Sequence, residues 1–366
     1  MQRAPSKQRI QGLKTMRENA APRISCVDLF CGAGGMTHGF ILEGLPVVAG
    51  IDMDSACRFP YEANNRALFV ECDISTVTAA ALNKLFGDAD VKILAGCAPC
   101  QPFSTYAQRY SLGGDDKWRL LYEFARLAEA VSPDVITMEN VPTVAKHAVF
   151  HDFVATLKRL EYHVWHDIVD SSKYGVPQAR RRMVLLASKH GECKIIEPTH
   201  TNPKTVRQAI GHLRPLSAGE AAPRDKLHVA PTLSETNLQR IKVSKPGGSW
   251  RDWPKNLVAE CHRGESGRTY PSVYGRMEWD NPAPTMTTQC YGFGNGRFGH
   301  PEQNRAISLR EAAILQSFPR DYAFIPAEGK VSFKLLGRLI GNAVPVDLGR
   351  AIARSIKAHL ASVTVR

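Results

Sequence analysis

The chain has 366 residues, is 43% hydrophobic and 22% charged, and carries a net charge of +12, which suits a protein with a sizeable core and favours two domains over one. No stretch is long and apolar enough to span a bilayer, and the basic N-terminus lacks a signal-peptide core, so nothing points to a membrane or to export. The nine cysteines are scattered apart from one pair, which excludes a disulfide framework and reads as a reducing compartment.

In chain order, residues 1–22 are polar and basic without apolar period, and read as a flexible arm. ISCVDLF (24–30) is a buried strand ending in the glycine cluster CGAGG, and MTHGFILEGL (36–45) is a helix stopped at Gly44. PVVAGID (46–52), ALFVECD (67–73) and VKILAG (91–96) are further strands. WRLLYEFARLAEAV (118–131) has helical period, and DVITMEN (134–140) and RRMVLLAS (181–188) are strands again. Short apolar strands alternating with helices predict an α/β domain: a parallel sheet with helices on both faces. From residue 189 Pro, Gly and Thr become frequent, and only TVRQAIGHL (205–213) reads as a helix. Helical period returns at SLREAAILQSF (308–318) and after GNAVP (341–345). The expected organisation is an arm (1–22), an α/β domain (23–188), an irregular insert (189–300), and a hinge and return to the first domain (301–366).

The charge is unevenly placed. Residues 1–23 hold six Lys/Arg against one acid, and residues 189–300 hold sixteen against ten. A basic tail and a basic middle around a near-neutral body suit a polyanionic partner, although a solvated surface explains the same distribution.

In such sheets ligands bind beyond the carboxyl ends of the strands. Phe30-x-Gly32-x-Gly34 follows the first strand, where glycines allow a tight turn and close approach to a ligand. The G-x-G-x-x-G dinucleotide signature does not fit, because position 37 is Thr. Asp52 ends the second strand, placed to accept from ribose hydroxyls, and Asp73 ends the third, placed to accept from an adenine amine. Each alone is more often a helix cap or a solvated loop residue. Together they describe an adenosine pocket with no phosphate loop, which fits S-adenosylmethionine better than NAD.

GCAPCQPFS (96–104) places Cys97 and Cys100 three apart. A zinc site needs about four ligands, and HGEC and CHRG supply only loose candidates, so no metal is expected. A redox C-x-x-C opens a helix, whereas Pro99 forces Ala98 extended. The pair therefore reads as an exposed thiol at Cys100 beside a small buried Cys97 with no chemistry of its own.

DLFCGAGG, GCAPCQPFS, ENV (139–141), QARRR (178–182) and GNAVP, in that order and with a long variable region between the fourth and fifth, resemble the motifs of the C5-cytosine DNA methyltransferases of bacterial and phage type. The resemblance implies a Rossmann-like S-adenosylmethionine-dependent methyltransferase sheet, with a smaller irregular target-recognition domain inserted before the C-terminal helix. It implies Cys100 as the nucleophile that adds to cytosine C6, Glu139 as the hydrogen-bond or proton partner at N3, Arg182 at the cytosine O2, and Arg180 positioning the catalytic loop and a phosphate. Phe30, Gly32, Gly34, Asp52, Met53, Asp73, Ile74, Pro99, Leu120 and Asn342 would form the cofactor site. Gln101, Ser104, Arg263, Arg268 and Arg276 would touch DNA, the three arginines from within CHRGESGRTYPSVYGR (261–276). The family usually has Glu where Asp52 stands, often an aromatic at Met53, and in some members Ser at Ala343. Double-stranded DNA with a flipped-out cytosine is the implied partner, for a cytoplasmic, nucleoid-associated monomer that either accompanies a restriction endonuclease or acts alone. The same chemistry on tRNA, a catalytically silent DNA-binding homologue and an NAD oxidoreductase are the rival readings.

Overall fold

The chain was analysed as a computed structural model that describes residues 22–99, 119–264 and 267–363. Residues 1–21 of the expected arm, and the stretch with Cys100, Gln101 and Ser104, lie outside the described residues.

The first half alternates as β1 (Ile24–Leu29), α1 (Gly35–Leu42), β2 (Val47–Asp52), α2 (Arg58–Asn65), β3 (Leu68–Glu71), α3 (Ala79–Phe86), β4 (Val91–Gly96), α4 (Arg119–Val131), β5 (Val135–Asn140), α5 (Ala148–Arg159), β6 (His163–Asp170) and β7 (Arg181–Ser188). The strands form a seven-stranded sheet in the order β3-β2-β1-β4-β5-β7-β6. Strands β1 to β5 pair in parallel, but β7 is antiparallel to both β5 and β6. The expected parallel sheet is found in β1 to β5, and beside it β6 and β7 form an antiparallel edge, with β7 inserted between β5 and β6.

The central strands are apolar on both sides because both faces are covered. Val27, Leu29, Leu94, Ile136 and Met138 face α3, α4 and α5 through Leu82, Phe124 and Phe153. The alternate residues Cys26, Ile93, Ala95, Val135 and Val184 face the other way, against Met36 and Phe40 of α1 and against the C-terminal helix.

Beyond the sheet come α6 (Val206–Ile210), the short hairpin β8 (Ala221–Ala222) and β9 (Asp225–Val229), α7 (Glu235–Val243), the one-turn α8 (Glu260–Arg263), α9 (Leu309–Leu315), α10 (Phe333–Asn342) and α11 (Val346–Ser362). The capping box of Ser308 and Glu311 starts α9. Helix α11 returns to the sheet and lies on α1. The approach is close enough that a Cβ on Gly39 would stand 2.5 Å from the Val346 carbonyl oxygen. Among the described residues no helix is long and apolar enough to cross a membrane.

Residues 189–300 do not pack as one body. Val206, Ile210, Leu227, Met277 and Phe298 share a core with Leu336, Ile340 and α2. A separate small core of Ile241, Trp250, Trp253, Phe293 and Ala306 gathers residues 233–274 around it. Arg276 sits between these layers, only 4% exposed. Its guanidinium donates to the carbonyls of Ile241, Ser244, His300 and Gln303 and to Asn304 Oδ1. The expectation that Arg276 touches DNA is corrected on this geometry: the side chain is buried and its donors are spent on the protein's own carbonyls.

Arg276→Met should lower stability by about 2–5 kcal/mol, because several buried carbonyls lose their donor. Denaturant titration measures the loss. An unchanged midpoint together with a relaxed target sequence would return Arg276 to a reading role.

Candidate active site

The carboxyl ends of β1 to β4 open onto a cavity of about 310 Å³, closed on one side by α10. That is the size of a small-molecule site at the position where doubly wound sheets bind ligands. Phe30, Gly32, Asp52, Met53, Asp73, Ile74, Pro99, Leu120 and Asn342 all line it. Gly34 does not; it is the left-handed N-cap of α1, and a Cβ there would stand 2.4 Å from Asn65 Nδ2. The glycine is required by packing beneath the turn, which corrects its expected place on the ligand surface.

Asp52 braces the turn. Its Oδ2 accepts from the Gly32 N–H at 2.9 Å and its Oδ1 from the Asp54 N–H at 3.0 Å. Burial raises its carboxyl above the ordinary range despite these donors. Asp73 caps the turn Ile74–Thr76 through the Ser75 N–H at 2.9 Å. Its hydrogen bonds with Ser75 hold it below the ordinary range. The cap reading and the cavity reading of Asp73 thus both hold.

Asp28 also lines the cavity, a residue that sequence reasoning passed over inside the first strand. It is 1% exposed; Oδ2 accepts from the Thr37 hydroxyl at 2.7 Å, and Oδ1 is buried with no partner. Burial pushes its pKa up to about 7. Arg338, on the wall from α10, is paired with Asp54. A lining rich in acceptors, with an orphaned carboxyl oxygen and its arginine already neutralised, fits a ligand bearing hydroxyl, amine and cationic groups. It opposes a polyphosphate.

Beyond the cavity wall lies a second cluster. Glu139, near the end of β5, is 2% exposed. Arg182 Nε stands 3.0 Å from its Oε1, and the Cys97 thiol donates to Oε2 at 2.9 Å. Asn140 Nδ2 donates to the Ala98 carbonyl at 3.1 Å. The segment 97–99 is therefore tied to the end of β5 at two points. Sequence reasoning brought Glu139 and Arg182 together and missed Cys97 and Asn140, although Asn140 adjoins Glu139 in the same motif. Among the described residues no group of three or more His, Cys, Asp and Glu is placed to hold a metal.

Arg180 is 3% exposed and donates to the carbonyls of Met286 (3.1 Å) and Ala343 (3.4 Å). Beside it Gln178 Nε2 donates to Gln316 Oε1 at 2.9 Å, and Gln316 Nε2 to the Ile340 carbonyl at 2.8 Å. Arg180 locks the C-terminal return against the sheet. Arg263 is exposed at the end of α8, with Nη2 donating to the Lys255 carbonyl at 3.2 Å. Arg268 falls in the turn Gly267–Thr269, and its side chain lies outside what the structure describes.

The sequence profile of one family, the C-5 cytosine-specific DNA methylases, matches residues 24–358. The Type II methylase M.HgiDII of Herpetosiphon aurantiacus is 56% identical over 91% of this chain and 95% of its own length. The Type II methyltransferase M1.HphI of Haemophilus parahaemolyticus is 32% identical over 91% of this chain and 86% of its own. Among solved structures, a DNA modification methyltransferase encoded within an E. coli prophage superposes with a TM-score of 0.69. It is 21% identical and covers 92% of this chain and 99% of its own. The S. pombe Dnmt2 methyltransferase gives 0.56 at 18% identity, over 92% and 99% of the two chains.

The Asp28 carboxyl has a signed consequence. It titrates near about 7 in the fold against 3.8 ordinarily. Between those values the unfolded chain has released a proton that the fold retains, so stability falls as pH rises through that window and levels off above it. Asp28→Asn, which keeps an acceptor for Thr37, should be more stable than the parent by about 2–4 kcal/mol near pH ~8 and nearly equal near pH ~4. Thermal melts at both values check this. An equal offset at both would show that the carboxyl does not titrate in that window.

Proposed function

The chain belongs to the C-5 cytosine-specific DNA methylases, and from that premise we propose that it methylates a flipped-out cytosine in double-stranded DNA through a covalent bond to Cys100. The buried Glu139 carboxyl, held beside the wall of an acceptor-lined cavity, is the observation that carries the reading.

S-adenosylmethionine, when bound, supplies an electrophilic sulfonium methyl group. The residues present fit it: Asp52 would take the ribose hydroxyls, Asp73 the adenine amine, and Phe30, Met53, Ile74 and Leu120 the flat or apolar surfaces, with Asn342 closing from α10. Asp28 adds an unpaired carboxyl oxygen to the lining.

Cytosine C5 is too weak a nucleophile to accept a methyl group unaided. Cys100 follows directly on Pro99, which lines the cavity. Its thiolate adds to C6, and the electron pair of the C5–C6 double bond moves toward N3, leaving C5 an enamine carbon. Glu139 meets the charge developing at N3, as a proton donor or strong hydrogen-bond partner. Arg182, ion-paired with the carboxyl at Oε1, would reach the cytosine O2. Once C5 carries its methyl group, loss of the C5 proton lets the Sγ–C6 bond break and restores the ring. A base inside a duplex cannot meet these groups, so the cytosine must leave the stack.

Target reading falls to residues 189–300, with Arg263 and Arg268 as the remaining arginine candidates and Gln101 and Ser104 beside the nucleophile. The Type II names of the relatives support a role alongside a restriction endonuclease, in the cytoplasm where the DNA lies.

Labelled methyl transfer to duplex DNA and to tRNA in parallel, followed by nucleoside analysis, tests the reading. 5-Methylcytosine should form in DNA alone and in one recurring sequence context; label in tRNA alone would move the substrate. Glu139→Gln should bind the cofactor normally yet transfer at least about a hundredfold more slowly. Near-parental turnover of that variant would place the proton role elsewhere.

A further inference from the structure

We propose that Cys97 is a positioning residue for methyl transfer: its thiol fixes the Glu139 carboxyl from the side opposite Arg182. The proposal rests on the reading of Glu139 given above.

The terminal torsion of a glutamate is soft and nearly two-fold, so one partner does not fix the carboxyl plane. Here the two oxygens differ: Arg182 Nε stands 3.0 Å from Oε1 as an ion pair without hydrogen-bond geometry, whereas the Cys97 thiol donates to Oε2 at 2.9 Å. Cys97 is itself anchored. It follows the last residue of β4, and its N–H donates to the Leu29 carbonyl at 3.2 Å, carrying the β1–β4 ladder one residue further. Its neighbour Ala98 is held by Asn140 from the end of β5. Cys97 also lines the cavity. One side chain therefore borders both the cavity and the carboxyl, and registers the one against the other.

The same geometry separates the two cysteines of the pair. A thiolate at position 97 would set two negative charges 2.9 Å apart, so Cys97 serves as the protonated donor and leaves the nucleophile's role to Cys100. Serine at 97 keeps an O–H donor on the same carbon; alanine keeps the backbone and removes the donor.

Single-turnover methyl transfer, at saturating cofactor and DNA, is measured for Cys97→Ala and Cys97→Ser in the parent and in Glu139→Gln. Cofactor affinity is measured beside it by calorimetry. Cys97→Ala should be slower by about tenfold or more, the loss expected when a hydrogen bond to a charged group is removed. Cys97→Ser should recover to within about threefold of the parent. In Glu139→Gln, where no acid remains to be positioned, Cys97→Ala should add less than about twofold. Parental rates in Cys97→Ala, or equal losses in Ala and Ser that persist in Glu139→Gln, would overturn the proposal and leave Cys97 a packing residue. A slow Glu139→Gln with a normal Cys97→Ala sinks the Cys97 proposal alone. A near-parental Glu139→Gln overturns both.

Discussion

The antiparallel entry of β7 beside β5 is what brings Arg182 to Glu139. In the parallel part of the sheet, the end of one strand lies beside the end of the next. Strand β7 runs the other way, so its first residues lie beside the last residues of β5, with Asn140 opposite Met183 and Glu139 opposite Val184. Arg182 stands one step beyond that register, against the carboxyl. Glu139 is buried and Arg182 half-buried, 3% and 12% exposed, and burying two charges costs about as much as their attraction returns. The value of the pair lies in orientation, with the Arg182 charge beside Oε1 and the Cys97 thiol donating to Oε2.

The cavity is completed from the far end of the chain. Helix α10 supplies its closing wall, and Arg338 pairs with Asp54 across the opening between α10 and the end of β2. Arg180 and Gln316 fasten this return to the sheet with buried hydrogen bonds to the Met286, Ala343 and Ile340 carbonyls, and Gln178 Oε1 accepts from the Met286 N–H. Glycines at the α1–α11 contact let the two backbones approach closely. Site geometry thus depends on contacts between residues some 300 positions apart, such as Glu43 with Arg350, and a change in the return segment reaches the cavity without touching a ligand.

Much of this was legible in the sequence, for identifiable reasons. Buried strands of a parallel sheet read as short apolar runs, so β1, β2, β4 and β5 stood out. Strand β6, HVWHDIVD, escaped notice because it is an edge strand whose charged and aromatic residues break both the apolar run and the alternation. Helix α10 escaped too, although its apolar residues keep a helical period and face α9 and the insert core. At the site, strand-end acids and the glycine turn were visible as positions. Which arginines face outward was not. Arg182 and Arg276 both sit in polar, arginine-rich stretches, and only tertiary packing shows that Arg276 spends every donor on the protein's own carbonyls. Cys97 was hidden for the opposite reason: its partner Glu139 lies 42 residues away, and its spacing drew attention to Cys100 instead.

The covalent role of Cys100 is the claim on which the catalytic reading turns, and a fluorinated substrate tests it most directly. With 5-fluorocytosine at the target base, C5 carries no removable proton after methylation, so the Sγ–C6 bond cannot break. Intact mass measurement under denaturing conditions should find protein joined to DNA and one added methyl group, with the link mapping to Cys100. The adduct should be absent from Cys100→Ser and still form in Cys97→Ser. No adduct with the parent enzyme, or a link that maps to Cys97, would contradict the mechanism.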